Sequence, residues 1–142
     1  MSASPDHYHA YLVRLREKLA LGVGRKPKAP HLSTPEELAV IRSEYPQLPE
    51  AFYELLTTVG WGYLVSFQMY NRPLEATEFF ELEAERFKGI LIFGDDYQSY
   101  HFGFDRANGD RIVEVSPDLE EVDFVAKDFP SFIYERFEDW MK

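Results

Sequence analysis

The stretch KGILIFGDDYQSYHFGFDRANGDRIVEVS, residues 88–116, decides the fold class. Its opening, Ile90 to Phe93, is a continuous apolar run of strand length closed on either side by Gly89 and Gly94. A run without polar alternation predicts a strand covered on both faces and therefore central in its sheet. From Tyr100 the pattern alternates, with Tyr100, Phe102 and Phe104 pointing one way and His101, Gly103 and Asp105 the other. Asn108-Gly109 is a hairpin signal, and the segment from Arg111 to Val115 is the returning strand. Closing that turn with two central residues pairs Phe104 with Val113 and Phe102 with Val115. The same register sets Arg106 opposite Arg111, a like-charge pair that counts against it.

Working outward, EVDFVA (residues 121–126) reads as a further short strand. In DFPSFIYERFEDWMK (residues 128–142), Phe129, Phe132, Ile133, Phe137 and Trp140 recur at helical spacing and predict a terminal helix packed on the sheet. Upstream, YLVSFQMY (residues 63–70) is strand-like, and the acidic stretch LEATEFFELEAERF (residues 74–87) is read as mainly helical. Its glutamates, Glu75, Glu78, Glu81, Glu83 and Glu85, form a solvated face in that reading. LPEAFYELLTTVG (residues 48–60) is a helix opened by Pro49 and stopped by Gly60, burying Leu48, Phe52, Leu55, Leu56 and Val59. Before it, Thr34, Pro35 and Glu37 carry the capping-box pattern of a short helix that Pro46 terminates. An N-terminal helix from Asp6 to Leu21 buries Tyr8, Tyr11, Leu12, Leu15 and Leu19 and stops at Gly22 and Gly24. Helices, then consecutive strands, then a helix predict an α+β domain: an antiparallel meander with helices packed around it.

The 142 residues suit one domain, and 45% apolar with 16% aromatic content is ample for one core. Residues 1–33 supply the extra helix and a basic connector, GRKPKAPHLS, and residues 34–142 the remainder. Cysteine is absent, which removes disulfides, thiolate nucleophiles, iron–sulfur clusters and cysteine-based zinc sites together. The polar N-terminus and the lack of a long uncharged apolar run predict a cytoplasmic chain that does not enter membranes. The net charge of −10 is uneven: residues 1–31 hold 6 Lys or Arg against 2 Asp or Glu, and the rest 9 against 23. Such an acidic surface repels nucleic acid and anionic lipid and steers basic proteins inward.

Three segments resemble the SUKH superfamily in their order and spacing. LPEAFYELLTTVGWG resembles its opening helix, glycine turn and first strand, although Trp61-Gly62 stands where an Asn-Gly pair is frequent. ILIFGDDYQSYHFGFD, followed by a glycine turn and RIVEVS, is similar to its strand, acidic turn and strand ending in Asp. VDFVAKDFPSFIYERF resembles its closing pattern, and the likeness spans residues 46–139. The resemblance implies a non-enzymatic domain without cofactor. Many bacterial members are immunity proteins that bind and block a cognate toxin, and others regulate fungal cell-wall synthesis or bind a translocation component.

Candidate site residues divide into two groups. Asp95, Asp96, Tyr97 and Tyr100, in the turn after the central strand, join negative charge to amphipathic rings, a combination suited to a basic protein partner. Asp118, Glu120, Glu121 and Asp123 extend that acidic rim. His101, Asp105 and Glu114 are expected to share an exposed strand face, Glu114 lying across from Gly103. They extend the partner surface or, in a competing reading, bind a divalent metal or act as a carboxylate-oriented base. No nucleophile, oxyanion turn or phosphate-cradling loop accompanies them. His7 and His9 lie about 200° apart around a helix, which prevents easy sharing of a metal, and His31 has no visible partner in the sequence. Core packing is the expected role of Trp61, at the corner with Gly60, Gly62 and Tyr63. The expectation is thus a binder of a basic toxin such as a nuclease, with a housekeeping adaptor as the alternative. Neither nucleic acid nor a small-molecule substrate is expected.

Overall fold

The computed structural model describes residues 5–21 and 30–142. The stop expected at Gly22 and Gly24, and most of the basic connector, lie outside them. Among the described residues the order is α1 (Pro5–Ala20), α2 (Pro35–Glu44), α3 (Glu50–Thr58), β1 (Gly62–Leu64), β2 (Phe67–Glu75), α4 (Ala76–Phe79), β3 (Ile90–Asp95), β4 (His101–Asp105), β5 (Arg111–Val115), β6 (Val122–Ala126) and α5 (Phe129–Phe137). The six strands form one sheet in sequence order, each antiparallel to the next. The fold is therefore α+β, a meander with helices around it. No helix among the described residues is long and apolar enough to cross a membrane.

β3 is covered on both faces for the reason its composition suggests. Leu91 and Phe93 enter the main core with the helices, while Ile90 and Ile92 enter a smaller core on the other side with Ala76, Phe87, Val113 and Val115. The main core centres on Phe52 of α3, whose ring meets Phe104 at 5.3 Å and Phe129 at 5.7 Å in edge-to-face geometry. Burying each such ring contributes about 1.5–3 kcal/mol. α1 belongs to the same core through Tyr8, Leu12, Leu15 and Leu19. It is also bonded to α3: the Tyr8 hydroxyl donates to the Ala51 carbonyl at 2.7 Å, and Arg16 donates to the Val59 carbonyl at 3.0 Å. The second of these bonds satisfies a carbonyl at the C-terminal end of α3.

Local signals act as the chemistry of their residues dictates. Thr34 and Glu37 form the reciprocal capping box of α2, and Asp128 caps α5 by accepting from the Ser131 N–H at 2.9 Å. Gly60 adopts φ +113°, and a Cβ there would meet the His31 carbonyl oxygen at 2.6 Å. That close approach lets His31 and Trp61 exchange two backbone bonds of 2.9 and 2.8 Å while their rings stack at 4.6 Å.

Three expectations are corrected. The acidic stretch after Pro73 is mainly not helical: β2 continues to Glu75, α4 is four residues long, and only a 3-10 turn follows at Glu85–Phe87. Ala76, Phe80 and Phe87 turn towards the sheet's second face in place of a continuous amphipathic stripe. The strand-like segment 63–70 is a hairpin, with Leu64 paired to Phe67 and Val65 in the left-handed region at φ 65°. The β4–β5 register differs by one residue: Gly103 pairs with Val113, Phe104 with Ile112 and Asp105 with Arg111. Its connection runs over Arg106–Asp110 with a 3-10 turn and left-handed Gly109 and Asp110. The longer connection replaces the Arg106–Arg111 clash with an attractive pair, Arg111 Nε lying 2.9 Å from Asp105 Oδ2.

Candidate functional site

Because the sheet is a meander, alternate hairpin turns fall at the same end. The turn at Val65 and Ser66, the turn from Asp96 to Tyr100 and the loop from Ser116 to Glu121 are neighbours there. The fold thereby gathers Asp95, Asp96, Tyr97, Tyr100, Asp118, Glu120, Glu121 and Asp123 at one end of the sheet, as the order of strands requires.

The β3–β4 turn is held by its own carboxylates. Asp95 Oδ1 accepts from the Tyr97 N–H at 2.9 Å, and Asp96 Oδ1 accepts from the N–H groups of Gln98 at 2.8 Å and Tyr100 at 3.1 Å. These bonds hold Tyr97 at φ 65° and Ser99 at φ 72°, leaving the Tyr97 side chain 51% exposed with its ring 5.8 Å from Tyr63. Asp95 Oδ2 accepts from the Tyr70 hydroxyl at 2.6 Å. Burial first, and then the bond to the Asp95 carboxylate, push the Tyr70 phenol well above its ordinary range, so it stays a donor. Burial, Asp95 and Tyr63 likewise raise Tyr97.

The β5–β6 loop is wired in the same manner. Asp118 Oδ1 accepts from the Ser116 hydroxyl at 2.6 Å and from the Glu120 N–H at 2.9 Å, and these donors lower its carboxyl. Ser116 Oγ also accepts from the Glu121 N–H at 3.0 Å. Both loops thus project charge, and the β3–β4 turn its rings as well, from a fixed backbone, which lowers the ordering cost of binding.

Comparison with protein-family models, curated proteins and solved structures finds no match to this chain.

His101, Asp105 and Glu114 do not share an exposed face, which corrects the expectation. His101 is half-buried among the rings of Phe79 and Phe80, 5.2 and 5.1 Å away, on the side of the smaller core. Asp105 lies at the far end of β4, ~13 Å away at the rise of an extended strand. It is 6% exposed and held by Arg111 at 2.9 Å and Asn108 at 2.8 Å. Glu114 pairs with Phe102, so the one-residue shift carries it to the α5 face. No group of three His, Asp or Glu able to hold a metal ion occurs among the described residues.

What Glu114 joins instead is an acidic group on the α5 face. It stands directly opposite Asp123, and burial, Asp123 and Asp96 raise its carboxyl above the usual glutamate range while Arg136 pulls it down. Among the described residues no hydrogen bond or ion pair is made by its side chain. Tyr70, Tyr63 and Arg136 were not legible as site residues, because strand register and helix packing, rather than any motif, bring them to this end. His9 pairs with Glu54 at 2.8 Å, which accounts for it without a metal.

Proposed function

We propose that this chain is a non-enzymatic protein-binding domain of the SUKH type that acts as an immunity protein, occluding a basic toxin domain such as a nuclease. The observation that carries the reading is the acidic, tyrosine-bearing end of the sheet, where Asp95 and Asp96 hold Tyr97 and Tyr100 outward on a hydrogen-bonded turn. Rigid amphipathic rings supply contact area at low entropic cost, and the surrounding carboxylates speed the encounter with a basic surface. The order of motifs from Leu48 to Phe137 supports the family, as does a meander of six strands flanked by helices.

Genetics tests the purpose of the binding. Deletion of this gene should be lethal only while the adjacent upstream gene is intact, and co-expression should restore growth. A deletion phenotype that persists without that neighbour would instead favour the housekeeping adaptor.

A further inference from the structure

An open cleft of about 200 Å³ lies between α5 and the sheet, lined by Phe102, Glu114, Val125, Phe132, Glu135 and Arg136. Its apolar part is firm: Phe102 and Phe132 are buried in the main core, with ring centroids 5.1 Å apart. Its polar part is unbalanced. Asp96 and Asp123 act on Glu114 from the neighbouring turn and strand, Glu135 lines the same cleft, and among the described residues that line it the one cation is Arg136. Arg136 is already engaged, donating to the Ser66 carbonyl at 2.9 Å with its guanidinium 5.6 Å from the ring centroids of both Phe67 and Phe102. Like charges directly opposite on an antiparallel pair are destabilising, yet Glu114 and Asp123 are so placed, and no bond to Glu114 relieves them among the described residues.

We propose that this cleft receives an arginine side chain of the protein partner, its guanidinium facing the Glu114 carboxylate and its stem lying along Val125, beside the exposed edges of the largely buried Phe102 and Phe132 rings. The inference rests on the protein-binding function proposed above and names the anchor of that interface. Arginine fits better than lysine. A flat, weakly hydrated guanidinium stacks on aromatic surface and bonds a carboxylate through two N–H groups, whereas an ammonium keeps its water. Arg136 itself illustrates this preference, since it already lies against two phenylalanine rings of the same face.

The test needs no identified toxin. N-acetyl-arginine amide is titrated into the isotopically labelled full chain, and amide shifts are followed by NMR. N-acetyl-lysine amide and the variant Glu83→Gln, a charge change on an exposed loop distant in sequence, serve as controls. Saturable shifts centred on Phe102, Glu114 and Phe132 are expected, with a dissociation constant on the order of 1 mM. They should weaken at least about fivefold in Glu114→Gln, a loss of ~1 kcal/mol, and remain unaltered in Glu83→Gln. Shifts that do not saturate, equal losses in both variants, or equal binding of the lysine compound would overturn the proposal. Arginine binding in the cleft without any recoverable toxin removes the immunity reading and leaves the cleft. A toxin complex indifferent to Glu114→Gln removes the cleft alone.

Discussion

Asp105 and Arg111 face each other across the mouth of the β4–β5 connection, Arg111 Nε lying 2.9 Å from Asp105 Oδ2, and this pair sets the register of the hairpin. The Asp105 side chain is only 9% exposed, so removing its partner leaves a mostly buried carboxylate with Asn108 as its remaining side-chain donor. Arg111→Ala should therefore destabilise the fold by about 2 kcal/mol, more than a surface ion pair is worth. A urea denaturation midpoint checks this; a change within error would show that the pair is solvated and does not fix the register.

Glu114 and Asp123 give the opposite sign. A carboxyl whose folded value is raised binds more protons folded than unfolded across the window between the ordinary glutamate value and the raised one. Stability therefore falls as pH rises through that window, and the penalty is fully present above it. Glu114→Gln lacks the penalty and should be more stable than the parent at neutral pH by roughly a few tenths of a kcal/mol, given the partial exposure. The advantage should fade as pH falls to the ordinary glutamate range. Urea titrations at several pH values measure it, and a variant less stable at neutral pH would contradict the assignment.

The β1–β2 turn offers a stabilising substitution. Val65 is β-branched and sits at φ 65°, where a Cβ is strained, while its side chain is only partly buried against the core. Val65→Gly should raise stability by about 0.5–1 kcal/mol despite the loss of that contact. A fall in the thermal midpoint would mean that packing outweighs the strain.

These cases show what the residues disclosed and what they hid. Ile90 to Phe93 could be read as central because an unbroken apolar run needs cover on both faces, and α2 because a capping box is a local chemical pattern. The β1–β2 hairpin was hidden because Val65-Ser66 carries no turn chemistry, its conformation being imposed by the packing of Leu64 and Phe67. The clustering of acids and tyrosines at one end followed from the meander alone. The face occupied by Glu114 did not, because an Asn-Gly pair suggests a two-residue turn, whereas the Asp105–Arg111 bond favours a five-residue connection. A shift of one residue moves a strand's side chains to the other side of the sheet. Tyr70 reaches Asp95 because the β2–β3 register pairs Gln68 with Asp95 and so sets Tyr70 diagonally beside it.

That Tyr70 bond should stiffen the turn it touches. Tyr70→Phe removes a donor to a carboxylate and should cost about 1–2 kcal/mol. Amide hydrogen exchange at Tyr97 and Tyr100 should accelerate beyond the global change. Exchange that tracks global stability alone would show that the turn holds itself without Tyr70.

The central claim, that the acidic tyrosine-bearing end of the sheet captures a basic protein, is tested most directly by co-purification with the product of the adjacent upstream gene. The measurement is made at low and at high salt, with the parent chain and with a Tyr97→Ala, Tyr100→Ala variant. The account predicts a complex that assembles faster at low salt and is lost in the variant. Failure to recover any complex at low salt, or recovery of one indifferent to both salt and the two tyrosines, would contradict it.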